Sequence, residues 1–338
     1  MKDDFSFFKR QSEVGRVILN KNYPMNSSMS KTPKSRWRRF YNNELNHIYQ
    51  RQINGFNIFY DIEDYLVYYT LFAVLCQCYD IIAIGLCLMP NHIHMLVKAG
   101  SRKVLAAFMD HCTSAFAKEH NFHIGRSGGV FRKRYGSAPK IGLKIIKTAI
   151  AYLFNNPVEK HLCSKAEEYR WNFLAYAVNP CPFSRQMPIR KMRYTLRKAI
   201  EEVRRTKAMN MHLKYYQLRR MFDGLNNEEK EILTDYIISS YNPFSYDALI
   251  NHFGSYENML VAIHSNTGSE YEINEEFDPS SDAVYEKMKE IIRADGIKPI
   301  RKVTILDIEE KMRLYHHLKA RTNATNHQIC RFLHIKHK

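Results

Sequence analysis

Residues 81–97 read Ile81-Ile82-Ala83-Ile84-Gly85-Leu86-Cys87-Leu88-Met89-Pro90-Asn91-His92-Ile93-His94-Met95-Leu96-Val97. The apolar run over 81–88 predicts a buried strand. Met89-Pro90-Asn91 predicts a turn, because proline lacks a donor and asparagine tolerates turn geometry. Residues 92–97 predict a second strand, and the two close a hairpin. Residues two apart on a strand face the same side. His92 and His94 therefore point together, close enough to share one cation, while Ile93, Met95 and Val97 anchor the strand in a core. In a chain with 15 histidines, that spacing alone also describes two exposed strand histidines.

Outward from the hairpin the pattern is mixed α and β. Residues 44–53 alternate polar and apolar side chains and predict a strand. Tyr65, Tyr69, Phe72 and Cys76 recur at helical spacing within 62–78. Residues 103–120 predict an amphipathic helix with Leu105, Phe108, Cys112 and Phe116 on one face. Gly128-Gly129 breaks the chain, and residues 130–135 predict a short basic strand. Residues 143–155 predict a further helix burying Leu143, Ile146, Ile150 and Leu153. Strand, helix, strand, strand, helix suits an α+β fold: a ferredoxin-like antiparallel sheet with helices on one face.

Three regions follow. Residues 1–35 are polar and basic and predict a flexible extension, with Met25 and Met29 as alternative starts. Residues 36–180 predict the α/β domain. The pattern stops near Asn179-Pro180-Cys181-Pro182, and residues 181–338 predict an all-α region. There, 185–209 and 228–240 read as helices. Ser245 and Ser255 cap two short helices around Gly254, in the outline of a helix-turn-helix. Residues 268–281 predict an acidic loop, and Thr325 with Gln328 predicts a capping box at the last helix.

The net charge is +17. Residues 1–180 carry +12 of it and 181–338 carry +5. A basic surface of this size favours a polyanion, because each neutralised phosphate releases counterions. Seven scattered cysteines, an odd number, predict a reducing intracellular setting. The longest apolar run, 81–89, is too short for a membrane span, and no signal-peptide core is present. The expected location is the cytoplasm, on nucleic acid.

Tyr152 and Asn156 are four apart on the helix over 143–155 and so share a face. Asn156 offers an oxygen to a hard divalent cation. Tyr152 offers a phenol, which at a pKa near ~10 needs help to act as a nucleophile at neutral pH. A cation on a phosphate polarises it and neutralises developing charge. Pro157 disfavours helical geometry at Asn156, so the helix is expected to end near there, with Asn156 in its last turn.

These residues carry a family resemblance. Met89 to Val97 resembles the histidine–hydrophobe–histidine segment of the HUH-type, REP-associated tyrosine transposases of bacteria. Tyr152 to Val158 resembles their tyrosine helix, Gly129 to Tyr135 the basic strand between, and Asn57 to Tyr65 the opening strand-to-helix stretch. Trp171 stands where the family also tends to carry an aromatic residue. Order and spacing agree over residues 40–176.

The resemblance implies an antiparallel sheet with helices on one side. It implies a divalent ion, Mg²⁺ or Mn²⁺, on His92, His94 and Asn156. Tyr152 would cut single-stranded or hairpin DNA, leaving a covalent 5′-phosphotyrosine that a 3′-hydroxyl later attacks. Arg132, Lys133 and Arg134 would contact phosphates, Phe131 and Tyr135 would stack on bases, and Arg51 is a further DNA contact. Thr325 to Leu333 resembles the first helix of the family's C-terminal helix-turn-helix.

The alternatives are a non-catalytic DNA-binding regulator, a relaxase or replication initiator, and an unrelated hydrolase built on the two histidines. The presence of His92, His94, Tyr152 and Asn156 together speaks against the regulator. The single tyrosine and small core speak against the relaxase, and the hydrolase leaves Tyr152 without a role. The long C-terminal region favours a monomer over a dimer.

Overall fold

The computed structural model describes residues 39–265 and 281–336. Four strands form one sheet: β1 (Leu45–Arg51), β2 (Ile82–Met89), β3 (His92–Lys98) and β4 (Gly136–Lys140), in the order β2-β3-β1-β4. All neighbours are antiparallel. With α1 (Ile62–Cys78) between β1 and β2, and α2 (Arg102–Ile124) between β3 and β4, this is the β-α-β-β-α-β arrangement expected from the sequence. The predicted hairpin is β2–β3, with Met89 opposite His92.

Both faces of the sheet are covered. Ile48, Leu86, Leu88, Ile93, Met95 and Val97 pack on α1 and α2. The other face takes α3 (Leu143–Glu159), whose Ile150, Leu153 and Phe154 pack on Ile84, Cys87, Met89 and Leu96. The expectation of helices on one face holds for α1 and α2 but not for α3. Burial explains it: β2 is apolar on both faces, and such a strand needs cover on both. Gly85 allows the close approach, since a Cβ there would stand 3.2 Å from Phe154 Cζ and 3.3 Å from Leu153 Cδ2.

Two local expectations change. The basic stretch 130–135 is not a strand. Phe131 makes a single bridge to Gln52, and the strand is Gly136–Lys140. A strand would place 131, 133 and 135 on one side, whereas Lys133 is exposed between two buried aromatics. Leu143 is also exposed, at 57%, because the first turn of α3 extends beyond the sheet's cover.

The described residues fall in one compact unit. Its helical region comprises α4 (Tyr194–Ala208), α5 (Tyr215–Phe222), α6 (Asn227–Tyr241), α7 (Tyr246–Asn251), α8 (Tyr256–His264), α9 (Ala283–Ala294), α10 (Ile308–Arg321) and α11 (Asn326–Leu333). Sequence periodicity did not reveal α5. Helices α5 and α6 pack on α1, so α1 is buried on every side from Asp64 to Cys76. Tyr69 of α1 donates to the Ile238 carbonyl and Tyr215 to Asp64. The Thr325–Gln328 capping box is present. Of the acidic stretch 268–281, only Ser281 lies among the described residues, and the extension 1–35 lies outside them. No helix among the described residues is long and apolar enough to cross a membrane.

His120 of α2 is buried, and His334 near the C-terminus is half-buried. His334 donates from Nε2 to the Asn57 carbonyl and stacks on Phe56. Burial, ahead of other causes, holds its pKa at about 3 and that of His120 at about 4. The folded values lie below the unfolded one of ~6.5, so the unfolded chain takes up protons first. Stability is full above that value and falls as the pH drops below it, by about 1.4 kcal/mol per pH unit for each histidine. Asn tolerates the left-handed backbone at 334 (φ 56°). Between pH 7 and 5, denaturation should show the native protein losing about 2 kcal/mol more than His334→Asn. Equal losses would contradict this reading of His334.

Candidate active site

β3 lies between β2 and β1, and its alternation directs His92 and His94 toward α3 while Ile93 and Met95 enter the opposite core. His94 is opposite Tyr49 and His92 opposite Arg51 in the register with β1. The same alternation on β1 places His47, Tyr49 and Arg51 on the histidine face. Helix α3 then brings Tyr152 and Asn156, one turn apart, onto this face.

The groups converge. Asn156 Nδ2 is 3.3 Å from His94 Nε2, and His47 Nε2 is 3.1 Å from His94 Nδ1. The rings of His92 and His94 are 4.9 Å apart and nearly perpendicular. The Tyr152 ring is 5.8 Å from both His94 and His47 and packs on Ala138 of β4 and on Tyr49. His92 Nδ1 pairs with Asn91 Oδ1. His47, His92, His94, Tyr152 and Asn156 are all buried. Burial, then the neighbouring His92, His47 and Arg51, push the pKa of His94 well below the usual value. Its ring is therefore neutral, the form that binds metals.

Asn156 stays helical despite Pro157. Helix α3 continues through the proline to Glu159, and the Lys160 amide closes on the Asn156 carbonyl at 3.1 Å. Asn156 thus lies in the last turn of the helix, as its sequence predicts. Proline's cost here is one missing donor, toward the Leu153 carbonyl.

These side chains fit a divalent cation. Two cis ligands of an octahedral ion with bonds near ~2.1 Å stand about 3 Å apart, which is the spacing of His94 Nε2 from the Asn156 amide. Asn156 Oδ1 is buried with no hydrogen-bond partner among the described residues. An amide flip exchanges its oxygen and nitrogen. Among the described residues, no three His, Cys, Asp or Glu side chains group as ligands. His92, His94 and Asn156 offer two imidazoles and one amide.

The remaining residues divide. Arg132, Lys133 and Arg134 are exposed. Their backbone is tied to the histidine end of the sheet, where the Arg132 amide donates to the Arg51 carbonyl at 2.9 Å and Gln50 Nε2 to the Arg132 carbonyl at 2.8 Å. Arg51 is buried, with its guanidinium 5.9 Å from the Tyr49 ring. Phe131 and Tyr135 are core residues, and Phe131 packs on Tyr68 and Phe116. Both rings are packed into the core. Trp171 stacks on Tyr65 at 4.3 Å.

Both segments outlined as helix-turn-helix elements contain helices. Helix α8 packs Met259 and Ile263 near α3 and carries no Lys or Arg. Helix α11 buries Ile329, Phe332 and Leu333 against Tyr60.

Sequence reading missed His47 and Tyr49. The signal lay in the alternation of β1, which sets His47, Tyr49 and Arg51 on one face. Only pairing with β3 shows that this face is the histidine face.

Residues 33–156 match the family model described as "Transposase IS200 like". That span includes His92, His94, Tyr152 and Asn156. Comparison with curated proteins gives no match. Among solved structures, the chain is similar to a REP-associated tyrosine transposase bound to a REP hairpin. Identity is 12% and the TM-score 0.37, over 44% of this chain and 86% of that one.

Proposed function

We propose that this protein is a metal-dependent single-stranded DNA endonuclease and strand transferase, acting on hairpin DNA through Tyr152. The observation that carries the reading is the meeting of His92, His94, Asn156 and Tyr152 on one sheet face. The family similarity over residues 33–156 supports it. A divalent ion, Mg²⁺ or Mn²⁺, on His92, His94 and Asn156 would supply Lewis acidity toward the scissile phosphate.

The chain's own groups do the rest. Tyr152 Oη attacks phosphorus, the Tyr–O–P bond forms and the P–O3′ bond breaks. The phenolic proton is lost, and the departing 3′ oxygen takes one up. Packing on Ala138 and Tyr49 fixes the phenol ring. His47 orients His94 by fixing which ring nitrogen carries the proton. Arg132, Lys133 and Arg134 bind phosphates beside the site. All four site residues come from one chain, which supports a monomer, and light scattering at assay concentration tests that. A cytoplasmic, nucleoid-associated location follows from the substrate.

The test is incubation with labelled single-stranded hairpin oligonucleotides and Mg²⁺ or Mn²⁺, followed by denaturing electrophoresis. A covalent adduct is expected that EDTA suppresses. His47→Ala should weaken Mn²⁺ binding by about 10–100-fold, the usual effect of removing a group that orients a ligand. Unchanged Mn²⁺ affinity would remove His47 from this role.

A further inference from the structure

Residues 185–208 hold nine Lys and Arg against two Glu, and the active site uses none of them. Helix α4 buries Leu196, Ala199, Ile200, Val203 and Thr206. At 100° per residue, the opposite face presents Tyr194, Arg197, Lys198, Glu201 and Arg205 within an arc of about 100°. All five are exposed.

Some cations nearby are committed. Arg193 pairs with Glu229, Arg185 with Glu228, and Arg204 donates to the Tyr236 hydroxyl. Arg190, Lys191, Arg197, Lys198, Arg205 and Lys207 have no carboxylate partner within ion-pair distance among the described residues. Glu201, between Arg197 and Arg205 at helical spacing, can neutralise only one of them at a time. Glu202 is taken by Arg220 of α5. That pair joins the two helices beside Lys198 and Arg205. Tyr216, one turn before Arg220, is 60% exposed, and Tyr194 is 70% exposed.

The ridge stands apart from the site. Helix α4 rests on α5 and α6, these rest on α1, and α1 covers the sheet face away from His92, His94 and Tyr152. A strand cut at Tyr152 cannot touch α4 with the same nucleotides.

We infer that the α4–α5 ridge is a second DNA-binding surface, which holds backbone phosphates of a segment distinct from the one at Tyr152. Uncompensated cations would release counterions from DNA, and two exposed phenol rings beside them offer stacking surfaces. The surface reads no sequence, since it offers charge and rings to any strand.

The full chain tests this by fluorescence anisotropy with a random-sequence duplex, from 50 to 300 mM NaCl. The variant is Arg197→Gln with Lys198→Gln and Arg205→Gln. The control is Lys287→Gln with Arg313→Gln and Arg321→Gln, three exposed cations on α9 and α10. Each lost phosphate contact lowers the salt slope by about 0.9 on a duplex. The ridge variant should lose about 2–3 units of slope, and the control less than half a unit. A loss below one unit, or an equal loss in the control, overturns the inference. The site reading is scored separately, by adduct formation on a short hairpin, which the ridge variant should retain. A wild type that binds with the steep slope but forms no adduct would leave the ridge standing and the proposed chemistry refuted.

Discussion

Tyr152→Phe is expected to abolish the covalent protein–DNA adduct, by more than about 10³-fold, the scale of losing a nucleophile. The substitution removes one oxygen and keeps the ring that packs on Ala138 and Tyr49. His92, His94 and Asn156, the proposed ligands, stay in place, so Mn²⁺ affinity should change little and the thermal midpoint should stay within a few degrees. Loss of adduct with unchanged metal binding assigns the nucleophile. An adduct that survives Tyr152→Phe refutes the assignment. His92→Ala and His94→Ala should also lose the adduct, but together with Mn²⁺ affinity, which separates the two roles.

Arg301→Met is expected to give the largest loss of stability. Arg301 is 2% exposed, and its Nη1 lies 2.9 Å from Asp64 Oδ1 and 3.4 Å from Asp61 Oδ2. Its guanidinium stacks over the Tyr215 ring at 4.4 Å. Asp64 is fully buried and also accepts from the Tyr60 and Asp61 amides and the Tyr215 hydroxyl. Burial acts to raise its pKa, but Arg301, with His120 and the amides, outweighs burial and holds the carboxyl below the usual range.

Removing the cation strands a buried carboxylate, at a cost of about 3–5 kcal/mol. For a chain this long, that is a fall of roughly 6–15 °C in the thermal midpoint. Asp64→Asn added to Arg301→Met should recover more than half of the loss. A fall under about 1 kcal/mol would mean that the site relaxes or hydrates freely. The sign with pH follows from the lowered folded value. The stabilisation is present above the unfolded pKa of ~3.9 and is lost as the pH falls through the folded one, so neutral pH shows the full cost.

The consequence reaches the site. The Ile300 and Arg301 amides donate to Asp61, and Asp61 with Asp64 caps the N-terminus of α1. Helix α1 underlies the sheet that carries His92 and His94. The C-terminal region therefore braces the α/β region from below, although composition separates the two near Asn179.

Much of the site was legible in the sequence because its rules are local. A period of two put His92 and His94 on one face, and a spacing of four put Tyr152 beside Asn156. The hairpin followed from an apolar run, a proline turn and a second run. The basic stretch misled because charge and aromatic content resemble an edge strand, yet Phe131 and Tyr135 are both drawn into the core.

Sequence by itself thus determined most of the secondary elements, the directions of their side chains and the residue types available for chemistry. Tertiary structure decided what those directions face. Pairing of β1 with β3 added His47 and Tyr49 to the histidines, across 47 residues for His47 and His94. Apolar surface on both faces of β2 drew α3 to the side opposite α1 and α2, and so brought Tyr152 to the histidine face. Arg301 found Asp64 across 237 residues. The physical reason is that periodicity is fixed by backbone geometry within a few residues. Partner choice is fixed by which faces can be buried together, and that depends on the whole chain at once.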